Sequence, residues 1–591
     1  MIRYRQQFLS VMAHLVLVLL VLGLSPSIAS SAEVDVVIEG IDDELLENVH
    51  GYLGIWQYRD ESDLTELAIR RLHSRAPEEI RNALMPYGYY SPGIDAQLSQ
   101  DDDASWTARY RITPGAPVTV GSIDIRITGS DELRDIVADI VSSPPLRIGD
   151  RLHHGRYAQL KDSLLRRALA NGYLDVRFTT QVLRVDRNAR LADIELELES
   201  GTQFRFGPVD FRQDLLDEEF LQRYVEFEQG EPFNYDAMLD LRYGLVDSEY
   251  YLDVEVRADR EAGENNELPV IVEATRNRQD RYTFGLGFGT DTGARATASW
   301  QNRFVNRRGH QAGAEIRTAE VGQAVGLSYS IPLKKPRVDR FVWQAGWEKD
   351  SELGDQVAYT TTVSGNLIRL LGNWQRTAFV RYEQERDVAP AGETRSTLVM
   401  PGVSYLKTAS DHPLFTNHGY SLFYELRGAS ESLGSDIGFA QLRFRTRRVY
   451  SPLEDWRFLM RLDLAGTAID ETLDLPASQR FFAGGDRSVR GYDYNRLGPV
   501  DADGNVVGGK YLATGSLELE RMVSKSWAVA VFVDAGNAAD EIDMPIKSGA
   551  GIGLRWRSPL GMVRFDLATP LDSVDREEGG INLHISIGPD L

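Results

Sequence analysis

The chain has no cysteine among its 591 residues. That excludes disulfide staples, thiolate metal ligands, thiol catalysis and a lipidated cysteine anchor. It also lacks a basic excess. Its formal net charge is −23, the wrong sign for a nucleic-acid partner. The nine histidines are scattered, and no HExxH, no metal-spaced histidine pair and no GxSxG elbow occurs. With no nucleophile–base arrangement, an enzyme such as a lipase or protease finds no support. No catalytic residue, no metal and no cofactor is expected. Long apolar runs are confined to the N-terminus. Arg3 and Arg5 precede the run at residues 15–24, and Ser30, Ser31 and Ala32 come after it. That run is short for a spanning helix and has the pattern of a secretory signal. Residues 1–32 therefore read as a signal peptide, cut after Ala32 or after Ala29. A membrane chain without spanning helices has one other route, the closed β-barrel.

The region after the signal is repetitive. Residues 33–276 carry three copies of a phrase built on a small or polar residue and tyrosine: YGYY (87–90), NGYLDVRF (171–178) and EYYLDVEV (249–256). VGSIDIRI (120–127) and FGPVDF (206–211) open units, while IGDRL (148–152) and GEPF (230–233) precede long helices. The stretch 157–170 places Leu160, Leu164 and Leu165 on one helical face. Each unit thus runs strand, helix, helix, strand, strand, with the phrase entering a short strand and boundaries at 33–116, 117–203 and 204–276. Such an α+β unit leaves a strand edge that is a template for an extended chain. The acidic tip at Asp101, Asp102 and Asp103 reads as a solvated turn.

Residues 277–591 lose the helical pattern. YTFGLGFG (282–289) sets Tyr282, Phe284, Leu286 and Phe288 against Thr283, Gly285, Gly287 and Gly289. GIGLRW, VRFDL and INLHISIG near the C-terminus alternate in the same way. One apolar face and one polar or tiny face is the lipid-out, lumen-in pattern. At roughly 20 residues per strand and connection, the region holds about 16 antiparallel strands. The first strand is weakened by Gly285, Gly287 and Gly289. The last, around Ile585 and Gly588, runs into Pro589, which has no N–H for a ladder. The seam between them is therefore expected to be the weakest junction and the working part.

One loop stands out in this region, RFFAGGDRSVRGY at residues 480–492. Arg490 lies among Gly485, Gly491 and Tyr492. The next two strands carry Glu518, Glu520 and Asp534 on their polar faces. Carboxylates inside a lumen need a cation, and arginine supplies a planar fork. Arg490 is expected inside the barrel, paired with Glu518 or Asp534. DADG at residues 501–504 has incomplete spacing for a calcium loop and reads as a surface turn.

The signal, three such repeats and a barrel carrying VRGY resemble the BamA/TamA outer-membrane assembly superfamily. GGDRSVRGYDYNRLGP (484–499), LATGSLELE (512–520), VAVFVDAGNA (529–538), GIGLRWRSPLG (551–561) and IGPDL (587–591) are most similar to its TamA branch. The resemblance implies three POTRA domains in the periplasm and a 16-stranded barrel in the outer membrane of a Gram-negative bacterium. It implies a seam that opens. Arg490 matches the family's loop arginine, with Gly491 and Tyr492 completing the phrase; Glu518 and Asp534 match its wall acids. It also implies three kinds of partner: a TamB-like, inner-membrane-anchored periplasmic protein; unfolded outer-membrane β-protein clients such as autotransporters; and outer-membrane lipid. One departure is the terminus, where Leu591 comes after Pro589 in place of the aromatic that ends many such barrels. The alternative is a two-partner secretion transporter that threads an exoprotein through the lumen. Such proteins usually have two POTRA units and a plug helix, and the third repeat argues against that reading. A passive porin would leave the repeats without purpose.

Overall fold

Alternating apolar and polar residues build four separate sheets in the computed structural model. It describes residues 33–61, 64–102, 105–291, 293–353, 356–389, 392–559, 561–572 and 580–588. The signal segment, Asp103, Pro589 and Leu591 lie outside the described residues.

Three small sheets come first. β1 (Glu33–Glu39), β2 (Gly93–Asp102) and β3 (Ser105–Thr113) form one, ordered β1-β3-β2. β1 runs parallel to β3 and β2 runs antiparallel to it. β4 (Thr119–Thr128), β5 (Arg177–Asp186) and β6 (Leu191–Glu199) repeat that order as β4-β6-β5. β7 (Arg205–Arg212), β8 (Tyr251–Ala258) and β9 (Glu267–Arg276) repeat it as β7-β9-β8. In each case the helices lie between the first and second strands in chain order.

The second sheet shows what holds such a unit together. Ala192, Ile194, Leu196 and Leu198 alternate along β6 and are buried in one core with Leu160, Leu164 and Ala168 of the helix His154–Leu169. Each such leucine contributes about 1.5–3 kcal/mol by leaving water. The helix starts three residues earlier than its apolar period suggests. The His153 side chain caps it, its Nδ1 accepting from Gly155 N at 3.0 Å and Arg156 N at 3.4 Å.

In the first two copies the tyrosine phrase opens on a turn before the strand, whereas in the third Tyr251 is the strand's first residue. Gly88 and Gly172 both take φ of +86°, and the strands begin only at Gly93 and Arg177. The third copy has Glu249 at this point, with φ of +61°. A left-handed non-glycine residue costs about 1–2 kcal/mol. Glu249 is held there by Arg281 at 3.1 Å and Arg303 at 3.4 Å. These pairs tie the third copy to the first strands of the barrel.

The barrel is a sheet of 16 strands in which every neighbouring ladder is antiparallel and follows chain order. It opens with β10 (Asp280–Gly289), β11 (Gly293–Asn302), β12 (Gln311–Ala319) and β13 (Gly322–Pro332). β14 (Asp339–Leu353), β15 (Gln356–Leu371), β16 (Trp374–Ala389) and β17 (Gly392–Ser410) are longer. β18 (His418–Ala429), β19 (Phe439–Leu453), β20 (Trp456–Ala468) and β21 (Tyr511–Met522) come next. β22 (Trp527–Ala539), β23 (Lys547–Ser558), β24 (Gly561–Pro570) and β25 (Asn582–Gly588) complete it. Phe284 and Leu286 are 79% and 91% exposed, which is unfavourable in water and ordinary against lipid. Among the described residues no helix is long and apolar enough to cross a membrane.

Closure is uneven. β10 pairs with β11 through ten residues and β24 with β25 through seven. Among the described residues no ladder joins β10 to β25. Their meeting point is Thr290, whose N–H donates to Ile585 O at 3.2 Å and whose Oγ1 accepts from Ile585 N at 3.1 Å.

Candidate functional site

Residues 469–510 join β20 to β21. Strand parity puts this loop at the same end of the barrel as the turn joining β10 to β11. The loop carries its own apolar nucleus of Phe481, Ala483, Val489, Tyr492 and Leu497, which packs on Leu512 and Ala538 of the wall. Its tip needs glycine at Gly491. The φ there is +98°, and a Cβ would lie 2.9 Å from the Thr569 carbonyl carbon.

Arg490 is 4% exposed. Its Nε donates to Asp534 Oδ2 at 2.7 Å and its Nη2 to Asp534 Oδ1 at 3.0 Å, a bidentate fork. Nη1 donates to Glu518 Oε2 at 2.8 Å and Asp566 Oδ2 at 3.0 Å, and Nη2 reaches Ser516 Oγ at 3.2 Å. All five guanidinium N–H groups therefore have acceptors. The backbone N–H of Arg490 also donates to Asp534 Oδ2, at 3.0 Å. The flat face of the guanidinium lies 3.4 Å from the Phe532 ring centre.

The network continues through the wall. Arg555 donates to Glu518 Oε1 at 2.5 Å, Glu520 Oε1 at 3.0 Å and Asp566 Oδ1 at 2.6 Å. Arg457 pairs with Glu520 and donates to Thr416 O at 2.8 Å and 3.1 Å. Arg461 donates to the loop carbonyls of Asp486 at 3.3 Å and Ser488 at 3.0 Å. Three arginines, Arg490, Arg555 and Arg457, thus pair with four acids, Glu518, Glu520, Asp534 and Asp566. Charges desolvated this far persist only in such a paired and hydrogen-bonded set.

A second set of contacts fastens the loop to the seam. Gly491 N donates to His584 Nε2 at 3.1 Å, and Asn582 Nδ2 donates to Gly491 O at 2.8 Å. An Nε2 that accepts leaves the ring proton on Nδ1, which donates to Asp486 Oδ1 at 2.6 Å. Asp486 N donates to Asp291 Oδ2 at 2.5 Å, and Thr290 Oγ1 donates to Asp486 Oδ1 at 3.3 Å. The loop therefore bridges the last strand and the first turn. Asp291, Asp486 and His584 have the donor types and spacing of a metal triad. A ligating histidine donates through its other nitrogen. Here that nitrogen accepts, so the arrangement is a hydrogen-bonded latch.

Of the residues singled out in the sequence, Arg490, Glu518 and Asp534 meet directly. Gly491 meets the last strand, and the Tyr492 ring is buried in the loop nucleus. Gly285 and Gly287 face the lumen on β10. A Cβ at Gly287 would lie 2.6 Å from Arg295 Nε, and Arg295 Nη2 reaches Ile587 O at 3.4 Å. Gly289 closes the hairpin opposite Gly293, and Gly588 pairs with Met562. Leu286 and Ile585 do not face each other, because Ile585 meets Thr290. Asp566, Arg555 and His584 were visible only as members of polar faces. Asp291 and Asp486 lie in a turn and a loop and carried no signal.

Residues 263–590 match the Omp85 superfamily domain. The chain belongs to the Omp85 superfamily. Residues 35–114 match the model described as POTRA domain TamA domain 1. Outer membrane protein assembly factor BamA of Nitratidesulfovibrio vulgaris is 33% identical over 124 residues, covering 20% of this chain and 16% of that protein. BamA of Neorickettsia risticii is 19% identical over 519 residues, covering 82% of this chain and 68% of that one. The crystal structure of Haemophilus ducreyi BamA lacking POTRA domains 1–3 superposes with a TM-score of 0.64 at 17% identity. That match covers 80% of this chain and 99% of the other, and shows the shared fold. This Omp85 protein is thus an outer-membrane β-barrel with an N-terminal POTRA region in the periplasm. Omp85 proteins are non-enzymatic insertion or secretion factors that act on client outer-membrane proteins.

His584→Ala removes the bonds to Gly491 and Asp486. At about 1 kcal/mol per hydrogen bond, the open seam population should rise by roughly five- to thirty-fold. Hydrogen exchange should quicken at the amides of Thr290 and Ile585 and stay unchanged in β22. Unchanged exchange at both seam amides would show that the latch carries no closing energy.

Proposed function

We propose that this Omp85 protein is an assembly factor of the TamA type, in which the β10–β25 seam accepts a strand of an unfolded outer-membrane β-protein such as an autotransporter. The observation that carries the reading is the contrast between complete ladders around the barrel and the Thr290–Ile585 meeting point at the seam. Few paired backbone groups give a low local opening free energy. An opened edge facing lipid is costly until another strand pairs with it. A client strand supplies the missing partners and buries its own apolar face in lipid, so no covalent step is needed. The loop lock at Arg490, Glu518 and Asp534 holds the wall rigid while Gly285, Gly287 and Gly289 leave β10 easily deformed. Residues 33–116, 117–203 and 204–276 act as three POTRA domains. A TamB-like periplasmic protein adds a strand to one of their sheet edges, where β1 and β2 are the outer strands of the first sheet.

Photo-crosslinking tests both contacts in one experiment. A crosslinker at Phe284 or Leu286 on β10 should capture the client during assembly, and one on β2 should capture the partner. Capture of a translocating client only from lumen-facing positions of β19 would replace this reading with threading through the lumen.

A further inference from the structure

The lumen beneath the loop gathers positive charge that the ion network does not cancel. β19 presents Arg443, Arg445 and Arg447 in succession on its inner face. Arg443 is matched by Asp463 at 2.7 Å. Arg447 stands directly opposite Arg461 across the β19–β20 ladder. Like charges directly opposite each other destabilise a strand pair. Among the described residues Arg447 has no hydrogen-bond or ion-pair partner. Arg461 donates to two carbonyls and makes no direct ion pair; the acids near it, Asp534 and Glu518, are already bonded to Arg490.

These two arginines line a cavity of about 110 Å³ together with Arg487 of the loop and Arg564 of β24. Arg564 stands opposite Arg555 across its own ladder, a second like-charged pair. The acids that border the cavity are engaged elsewhere. Glu518 and Asp566 are bonded to Arg490 and Arg555, and Asp486 to His584. Four guanidinium groups from four different elements therefore converge on one small space. A half-buried guanidinium with no acid bonded to it, as at Arg447, favours a counter-ion. Forks arriving from several directions suit a tetrahedral oxyanion better than a planar carboxylate. The space accommodates a phosphate-sized group.

We propose that this chamber is a phosphate-binding site. The phosphate is either free in the lumen or the headgroup of an anionic lipid. The second source is physically open because Ser586 and Ile587 of the seam strand border the same cavity. The soluble arm of the test does not rest on the proposed function, so the two ideas fail separately.

The full chain in neutral detergent is titrated with inorganic phosphate against chloride at fixed ionic strength, and thermal unfolding is monitored. Phosphate should raise the unfolding temperature saturably. Arg447→Gln and Arg564→Gln should each weaken the apparent affinity by about ten-fold, the scale of a lost charged hydrogen bond. Arg487 is exposed in the loop, so Arg487→Gln should do the same without disturbing the barrel wall. In the lipid arm, nanodiscs of phosphatidylcholine with and without phosphatidic acid are compared by native mass spectrometry. Retained phosphatidic acid that is lost in Arg447→Gln identifies a lipid headgroup. A phosphate response without lipid retention identifies the free ion. Wild-type protein that neither responds to phosphate beyond chloride nor retains phosphatidic acid would overturn the proposal. So would Arg447→Gln and Arg487→Gln variants that bind as the wild type does.

Discussion

Arg490→Met will free the loop from the barrel wall. The substitution removes a fork that serves Asp534, Glu518 and Asp566 at once. It leaves Asp534, which is fully buried, without its direct cation. Breaking a buried pair in this way costs about 3–5 kcal/mol, because the surviving charge stays desolvated. The loss spreads, since Glu518 and Asp566 also hold Arg555. Arg490→Lys should recover only part of the loss. An ammonium is a point charge and cannot donate to both Asp534 oxygens and to Glu518 and Asp566 from one position. The expected result is faster proteolysis within residues 480–510 and a lower unfolding temperature in detergent, in the order wild type, Lys, Met. A methionine variant whose loop resists protease as the wild type does would show that the network is not what docks it.

A disulfide across the seam should abolish client assembly. Continuing antiparallel from the Thr290–Ile585 contact places Phe288 opposite Ile587. Both belong to the lipid-facing side, so their Cβ atoms point the same way. Phe288→Cys with Ile587→Cys is therefore the pair to oxidise, subject to the short Cβ separation a disulfide requires. The chain has no other cysteine, so no mispairing competes. Oxidised protein should insert no client, and reduction should restore the rate. The expected change is all-or-none, because a covalent bond replaces a junction that opens at low free energy. Assembly at the unlocked rate by the oxidised protein would rule out the seam and leave the lumen as the route.

The contact of Arg490 with Glu518 and Asp534 was legible because it combines two signals that survive without coordinates. Arg490 sits among glycines that make sense only where backbone must pass close to a wall. Glu518 and Asp534 sit on the polar side of strands whose other side is apolar. Asp566, Arg555 and His584 shared that second signal with many other lumen residues. Nothing in the chain ranked them above Asn582 or Ser586. The tyrosine phrase misled by a few residues for a related reason. A glycine leading into tyrosines looks like a strand start, yet Gly88 and Gly172 are helix-ending positions with positive φ, and the strand begins only after the turn.

By itself the sequence determined which side of each strand meets lipid, roughly how many strands there are, and that the repeats precede them. Those properties come from a period of two and from turn residues, which are local. The tertiary structure decided which inward residues touch. Contact across the barrel depends on strand register and stagger, and these are set cooperatively around the whole closed sheet. That stagger brings Asp566 of β24 to Arg490 of a loop 76 residues away, and His584 to Asp486 across 98. It also sets Arg447 against Arg461 beside a small cavity. A one-residue slip would turn the strand residues among these outward, which is why the apolar pattern protects the site without describing it.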